Sequence, residues 1–251
     1  MTEHEWRQET SVHALLRFIA PNVSDRKLHL YEVAHLRRIA ALLPLPECLA
    51  GIDVLERFAD GEATREDIQQ LDYDLEGAAF RFEYYGRGSS PPLPFKDHDV
   101  ARAIQQLEQM PREQLEELVN DATYMNRTPR EILMSAAYSV HTAVNFIPFV
   151  RSYPELMGRE DCPEPFESLP HFRDIFGNPF RPVVFSPSWR TSTVVALASQ
   201  MYESRDFSAM PILADALQDA GCDSADILDH CRGPGPHVRG CWVVDLVLGK
   251  T

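Results

Sequence analysis

Lysine is nearly absent from this chain: Lys27, Lys96 and Lys250 are the only three in 251 residues. With 24 Lys and Arg against 38 Asp and Glu, the formal net charge is −14 and no basic run exists. That balance argues against a nucleic-acid partner, which needs a basic face to displace counterions from phosphates. It equally disfavours docking on anionic lipid. Long apolar runs are missing too. The nearest, Val140 to Val150, is broken by His141, Asn145 and Pro148, so no membrane span is expected. The opening MTEHEWRQET lacks a basic stretch followed by an apolar one, so no export signal is read and a cytoplasmic setting is expected. Five cysteines, an odd number spread thinly, make no disulfide framework. There is no glycine-rich phosphate loop, no GxSxG elbow, no HExxH and no CxxC pair.

What is present is ordinary core material, 44% hydrophobic and 25% charged, arranged with helical periodicity. Ser24 with Asp25 suits a helix start, followed by Leu28, Tyr31, Leu36 and Ile39 at helical spacing, with Pro44 and Pro46 as the stop. Ile52, Leu55 and Phe58 predict a helix ending at Gly61. Thr64 with Asp67 resembles a capping box opening a long helix through Ile68, Leu71 and Leu75. Thr128, Pro129 and Glu131 combine a cap, an N1 proline and an N3 glutamate, predicting a helix that stops before Pro148. Further helices are expected through Val194 to Met201, Phe207 to Leu217, Asp223 or Ser224 to Cys231, and Val238 to Leu246. No long alternating polar/apolar run appears. The expected fold is all-α, a multi-helix bundle or stacked helix pairs.

Composition suggests three regions. Residues 1–150 read as a helical domain with a loop at 86–96, and 188–251 as a C-terminal helical subdomain. Between them, residues 151–187 form a proline-rich segment; residues 148–187 hold eight of the nineteen prolines. Prolines at that density predict an ordered, extended strap rather than regular helix. Val183 to Phe185 is a candidate edge strand, and Phe172, Ile175, Phe176, Phe180 and Phe185 are expected to anchor the strap.

Chemistry concentrates in residues 221–250, where Cys222, Cys231, Cys241, His230 and His237 crowd among glycine and proline. Cys231, His237 and Cys241 are a candidate zinc set, with His230 or Asp245 as the fourth ligand. Four-residue spacing would place His237 and Cys241 on one helix face. A helix over 223–231 would separate Cys222 from Cys231 by about 13 Å, too far for one ion. The short cysteine pairs of common zinc modules are also missing. The preferred expectation is therefore no metal and no cofactor, with the cysteines packed as small apolar residues and the histidines paired.

Asp245, inside VVDLVL, needs a partner among the valines; Arg181, Arg232 and Arg239 are the candidates. FGNPFRP, residues 176–182, offers Asn178, Phe180 and Arg181 as a docking element or, more simply, as an Asn-Pro turn anchored by phenylalanines. Asp215, Asp219, Asp223, Asp226 and Asp229 form an acidic run without calcium-loop spacing, expected to be a solvated face. His35, His141 and His171 each stand alone in sequence.

The stretches FRDIFGNPFRPVVF, PILADALQDAGCDSADILDHCRGPGPHVRGCWVVDLVLGK and SDRKLHLYEVAHLRRIAALL resemble a large family of uncharacterised planctomycete proteins. The likeness covers about two-thirds of the chain and is weak over residues 86–165. Family members carry a cysteine pair where this chain has Ala34 and His35. The resemblance implies no activity and no catalytic residue. The expected function is a non-enzymatic protein-interaction or scaffold module. The alternative is a metal-dependent hydrolase using the C-terminal Cys/His cluster.

Overall fold

The computed structural model describes residues 1–43, 45–84, 98–119, 127–152 and 168–250. The loop expected at 86–96 lies outside them, and so does the strap over 153–167. The described residues hold fourteen α-helices and no strand. In chain order these are α1 (Glu3–Gln8), α2 (Val12–Ile19), α3 (Asp25–Arg38), α4 (Pro46–Ala59), α5 (Arg65–Tyr84), α6 (His98–Glu108) and α7 (Arg112–Leu118). They continue as α8 (Pro129–Val144), α9 (Phe146–Ser152), α10 (Leu169–Phe176), α11 (Ser192–Ser204), α12 (Met210–Asp219), α13 (Ala225–Arg232) and α14 (Trp242–Leu248). The fold is all-α. No helix is long and apolar enough to cross a membrane among the described residues.

Most helix starts follow local chemistry. Ser24 Oγ accepts from the Lys27 backbone N–H. Thr64 and Thr128 each form a reciprocal box, with Asp67 and Glu131 respectively. Helices α3 and α8 end before Pro46 and Pro148 as expected, but prolines also open the helices that follow. Pro46 sits in the first turn of α4, Pro148 in that of α9 and Pro170 in that of α10. The first-turn N–H has no intrahelical partner, so losing it there costs nothing. This corrects two expectations. The chain is helical again across Pro148, and residues 169–176 of the presumed strap are a helix. The strap survives as the non-helical run after Gly177, whose φ of +60° ends α10 in a left-handed cap. Val183 to Phe185 pairs with no strand among the described residues. Val183 and Phe185 pack on the core of α11 to α14 instead, leaving Val184 88% exposed between them.

The chain forms two compact units, a division different from the one composition suggests. A terminal unit joins Met1–Ala34 to Leu169–Thr251, and a middle unit spans His35–Ser168. In the middle unit α4, α5 and α8 pack on one another. They bury Ile52, Leu55, Leu71, Leu75, Ala136 and Val140. Gly51 allows α4 to approach α5 closely: a Cβ there would lie 3.1 Å from Leu71 and 3.2 Å from Leu75. The one buried acid among this unit's described residues, Glu56, is held by Arg37 at 2.8 Å.

In the terminal unit α11 to α14 share a core of Val194, Met201, Leu213, Leu217, Ile227 and Val244. A second, aromatic layer forms where the two ends of the chain meet. Trp6 of α1 packs on Phe18 of α2, on Phe172 of α10 and on Phe180. Phe172 and Ile175 are fully buried, whereas Phe176, Phe180 and Phe185 are half-buried, so the strap's anchoring is strongest at its helical start.

Candidate functional site

Residues 233–240 carry no helix, so His237 and Cys241 do not share a helix face as their spacing suggested. Gly235 and Gly240 adopt φ of +75° and +92°, and two prolines lack the N–H a helix would use. Gly240 is further fixed by space, since a Cβ there would lie 3.0 Å from Leu30. This turn carries His237 back against α10. Its Nδ1 lies 2.7 Å from Asp174 Oδ1, and the second carboxylate oxygen accepts the Val238 N–H at 2.9 Å. His230, in the last turn of α13, places Nε2 3.1 Å from Asp174 Oδ1 and 3.2 Å from Cys241 Sγ. Asp174, His230, His237 and Cys241 thus present four donor atoms within 4.8 Å of one another.

The electrostatics of this cluster are those of a buried polar network. Burial pushes the Asp174 carboxyl up, but hydrogen bonds and charge from His230 and His237 outweigh it and hold it below its ordinary value. Burial, reinforced by the Asp174 charge, raises the Cys241 thiol well above its usual range. The Cys231 thiol is pushed up to about 12, mainly by burial. Neither thiol is poised as a free nucleophile, which requires a depressed pKa.

The cluster differs from the expected ligand set. Cys231 is not among the converging donors. It packs with Cys222 in the apolar core of α11 to α14. Asp245 is not the fourth donor either, and its partners are not Arg181, Arg232 or Arg239. Arg26 grips both its oxygens, at 2.7 and 3.1 Å, and Lys27 pairs with the same carboxylate. Lys27 also donates to the carbonyls of Gly240, at 2.6 Å, and Ile175, at 3.2 Å. Lys27 thereby ties the end of α10 to the start of α14. Arg239 donates to the Tyr202 carbonyl instead, and Arg232 to Asp215 and Gln218. The acidic run Asp215, Asp219, Asp223, Asp226 and Asp229 is exposed throughout.

The 176–182 element is both an Asn-Pro turn and a seat. Asn178 Oδ1 accepts the Phe180 N–H, fixing the turn. Phe180 stacks on Phe18 with ring centroids 5.5 Å apart. Arg181 Nε and Asn178 Nδ2 reach the carboxylate of Glu3, at 2.7 and 3.1 Å, which also receives Arg7 at 2.7 Å. Desolvation pushes Glu3 up, but the hydrogen bonds from Asn178 and Arg181 lower its pKa overall. Beside this seat opens a cleft of about 770 Å³ with Trp6, Phe176 and Trp242 on its walls. Its charged lining is five cations, Arg7, Lys27, Arg173, Arg181 and Lys250, against Asp226 and Asp245. A chain of net charge −14 therefore gathers two of its three lysines on one cleft. His230 reaches the same wall, so the four-donor cluster lies directly behind the cleft.

Comparison with protein-family models, curated proteins and solved structures finds no match for this chain.

Asp174, Arg26, Lys27 and Glu3 join the site without having stood out in the sequence. Asp174 carried a usable signal: like Asp245 it is a carboxylate set among large apolar residues, in HFRDIF, and such a group needs a partner. Arg26, Lys27 and Glu3 carried none, because the partners Asp245, Gly240 and Arg181 lie more than 170 residues away in sequence along no periodic pattern.

Proposed function

We propose that the chain is a non-enzymatic interaction module, and that the cleft of its terminal unit docks an acidic segment of a partner protein bearing a large apolar side chain. The observation that carries this reading is Glu3. It supplies a carboxylate to Arg7, Asn178 and Arg181, while Trp6, three residues on, rests against Phe172 and Phe180. That short turn of α1 is an internal example of the chemistry the cleft favours, a carboxylate followed by an aromatic ring. The excess of cations along the cleft supports the same complement, through charge pairing that speeds encounter and fixes register. Nucleic acid is also anionic, but the rest of this strongly acidic surface would repel it. Burial raises the thiols of Cys231 and Cys241, including Cys241 beside His230, and a raised thiol favours docking over nucleophilic catalysis. A reducing, cytoplasmic setting suits its free cysteines.

The test is an NMR titration of the full chain with a blocked peptide of alternating Asp and Leu or Phe. A second peptide with Lys in place of Asp serves as the control. The chain has three tryptophans, and Trp189 does not line the cleft while Trp6 and Trp242 do. The acidic peptide is expected to shift the indole N–H signals of Trp242 and Trp6 saturably, leaving Trp189 unmoved, with the effect weakened by salt. Lys250→Glu should weaken it further. No shift at millimolar peptide, or equal shifts from the Lys peptide, would contradict the reading.

A further inference from the structure

We infer that Asp174, His230, His237 and Cys241 are the ligands of a structural zinc ion. The inference stands apart from the docking proposal, since it concerns what holds the cleft's rear wall together and not what enters the cleft.

Four residues from four places in the chain supply the set: Asp174 on α10, His230 at the end of α13, His237 in the glycine-proline turn, and Cys241 at the entrance to α14. Carboxylate oxygen, imidazole nitrogen and thiolate sulfur are the three donor types zinc accepts. Metal–donor lengths of about 2.0–2.3 Å place tetrahedral donors roughly 3.3–3.8 Å apart. The donor pairs here stand at 2.7, 3.1 and 3.2 Å, with all four inside 4.8 Å. Shifts of about 1 Å or less, opening the short pairs and closing the widest, give the coordination shell.

Two features favour an ion over hydrogen bonds alone. His230 Nε2 lies almost equally far from Asp174 Oδ1 and Cys241 Sγ, and one ring nitrogen with at most one proton cannot serve both well. A shared cation at the centre serves all four donors. The carboxylate is also already oriented, because its second oxygen is occupied by the Val238 N–H, leaving Oδ1 directed at the two rings. Metal sites hold their ligands by such outer contacts.

The arrangement decides the ion's role. Four protein donors fill a tetrahedral shell, whereas a catalytic zinc keeps one position for water or substrate. The ion is therefore a staple joining α10, α13 and α14, not the centre of a hydrolase. On binding, the Cys241 thiol gives its proton to solvent, as does any protonated imidazole, and the sulfur enters the shell as thiolate, so uptake of zinc acidifies the medium.

The experiment uses the full chain and the metal alone. Protein dialysed against zinc and then against metal-free buffer should retain one zinc per chain by elemental analysis. Substituting cobalt should give the visible bands of a tetrahedral ion and a thiolate-to-cobalt charge-transfer band. Cys241→Ser should abolish the charge-transfer band, and His230→Gln should weaken zinc binding at least about tenfold. Should either variant fail to fold, the cobalt spectrum of the unmodified chain still decides. Cys231→Ala should leave stoichiometry and spectrum unchanged, since that thiol lies in the apolar core. Failure of the unmodified chain to retain zinc, or a cobalt spectrum without thiolate character, would overturn the inference.

Discussion

Helices α4, α5 and α8 of the middle unit bury Ile52, Leu71, Leu75, Ala136 and Val140 against one another, with Gly51 letting two of them approach closely. Helices α10, α13 and α14 of the terminal unit instead bring together Asp174, His230, His237 and Cys241, and beside them Asp245 with Arg26 and Lys27. Apolar packing degrades gradually, because a lost methylene costs its transfer energy plus a partial cavity. A converging polar centre does not, because removing one member leaves the others buried without a partner. The two units should therefore respond differently to small chemical changes.

The largest contrast is expected between two buried carboxylates. Asp245→Ala should destabilise by about 3–5 kcal/mol, since it leaves Arg26 and Lys27 facing each other beneath the surface. Glu56→Ala in the middle unit should cost less, about 1–3 kcal/mol, because Arg37 is a third exposed and keeps Asp53 at 2.7 Å. Urea denaturation of both variants checks this, and equal losses would erase the distinction.

Acid should sharpen it next. Burial lowers the His29 pKa to about 4, the nearby Asp25 charge opposing this only in part. A histidine whose folded value lies below its unfolded one binds more protons unfolded, so stability falls as pH drops from about 6.5 to 4. The loss is roughly 3 kcal/mol. The lowered Asp174 pKa adds to the same trend at lower pH, where its protonation removes the acceptor that His230 and His237 share. Hydrogen exchange resolved by unit should show the terminal unit opening first below pH 6; simultaneous opening would contradict this.

The smallest contrast concerns two glycines. Gly240→Ala should cost about 1–3 kcal/mol, from a φ of +92° and a contact with Leu30 at 3.0 Å. Gly51→Ala should change stability by less than about 1 kcal/mol, as the gain in helix propensity offsets small shifts of two leucine methyl groups. Thermal melts of the pair measure the difference.

The all-α architecture and the capping boxes at Thr64 and Thr128 were legible because helical period and cap chemistry are local. Pro148 and Pro170 misled for a local reason too, since a proline marks a helix start as readily as a stop. The site was half legible. His230, His237 and Cys241 stood out by residue type, but the grouping with Cys231 assumed that neighbours in sequence meet in space. Cys231 points into the apolar core, and the missing donor, Asp174, lies 56 residues before His230 on another helix. Which residues converge is set by the turn over 233–240, whose shape depends on Leu30 and Val238 contacts that no periodicity encodes.

The most direct test of a metal-ready polar centre is X-ray absorption at the zinc edge of the zinc-loaded full chain. The account predicts one sulfur at about 2.3 Å and three nitrogen or oxygen neighbours at about 2.0–2.2 Å. A shell of oxygens alone, or any shell without sulfur, would contradict it.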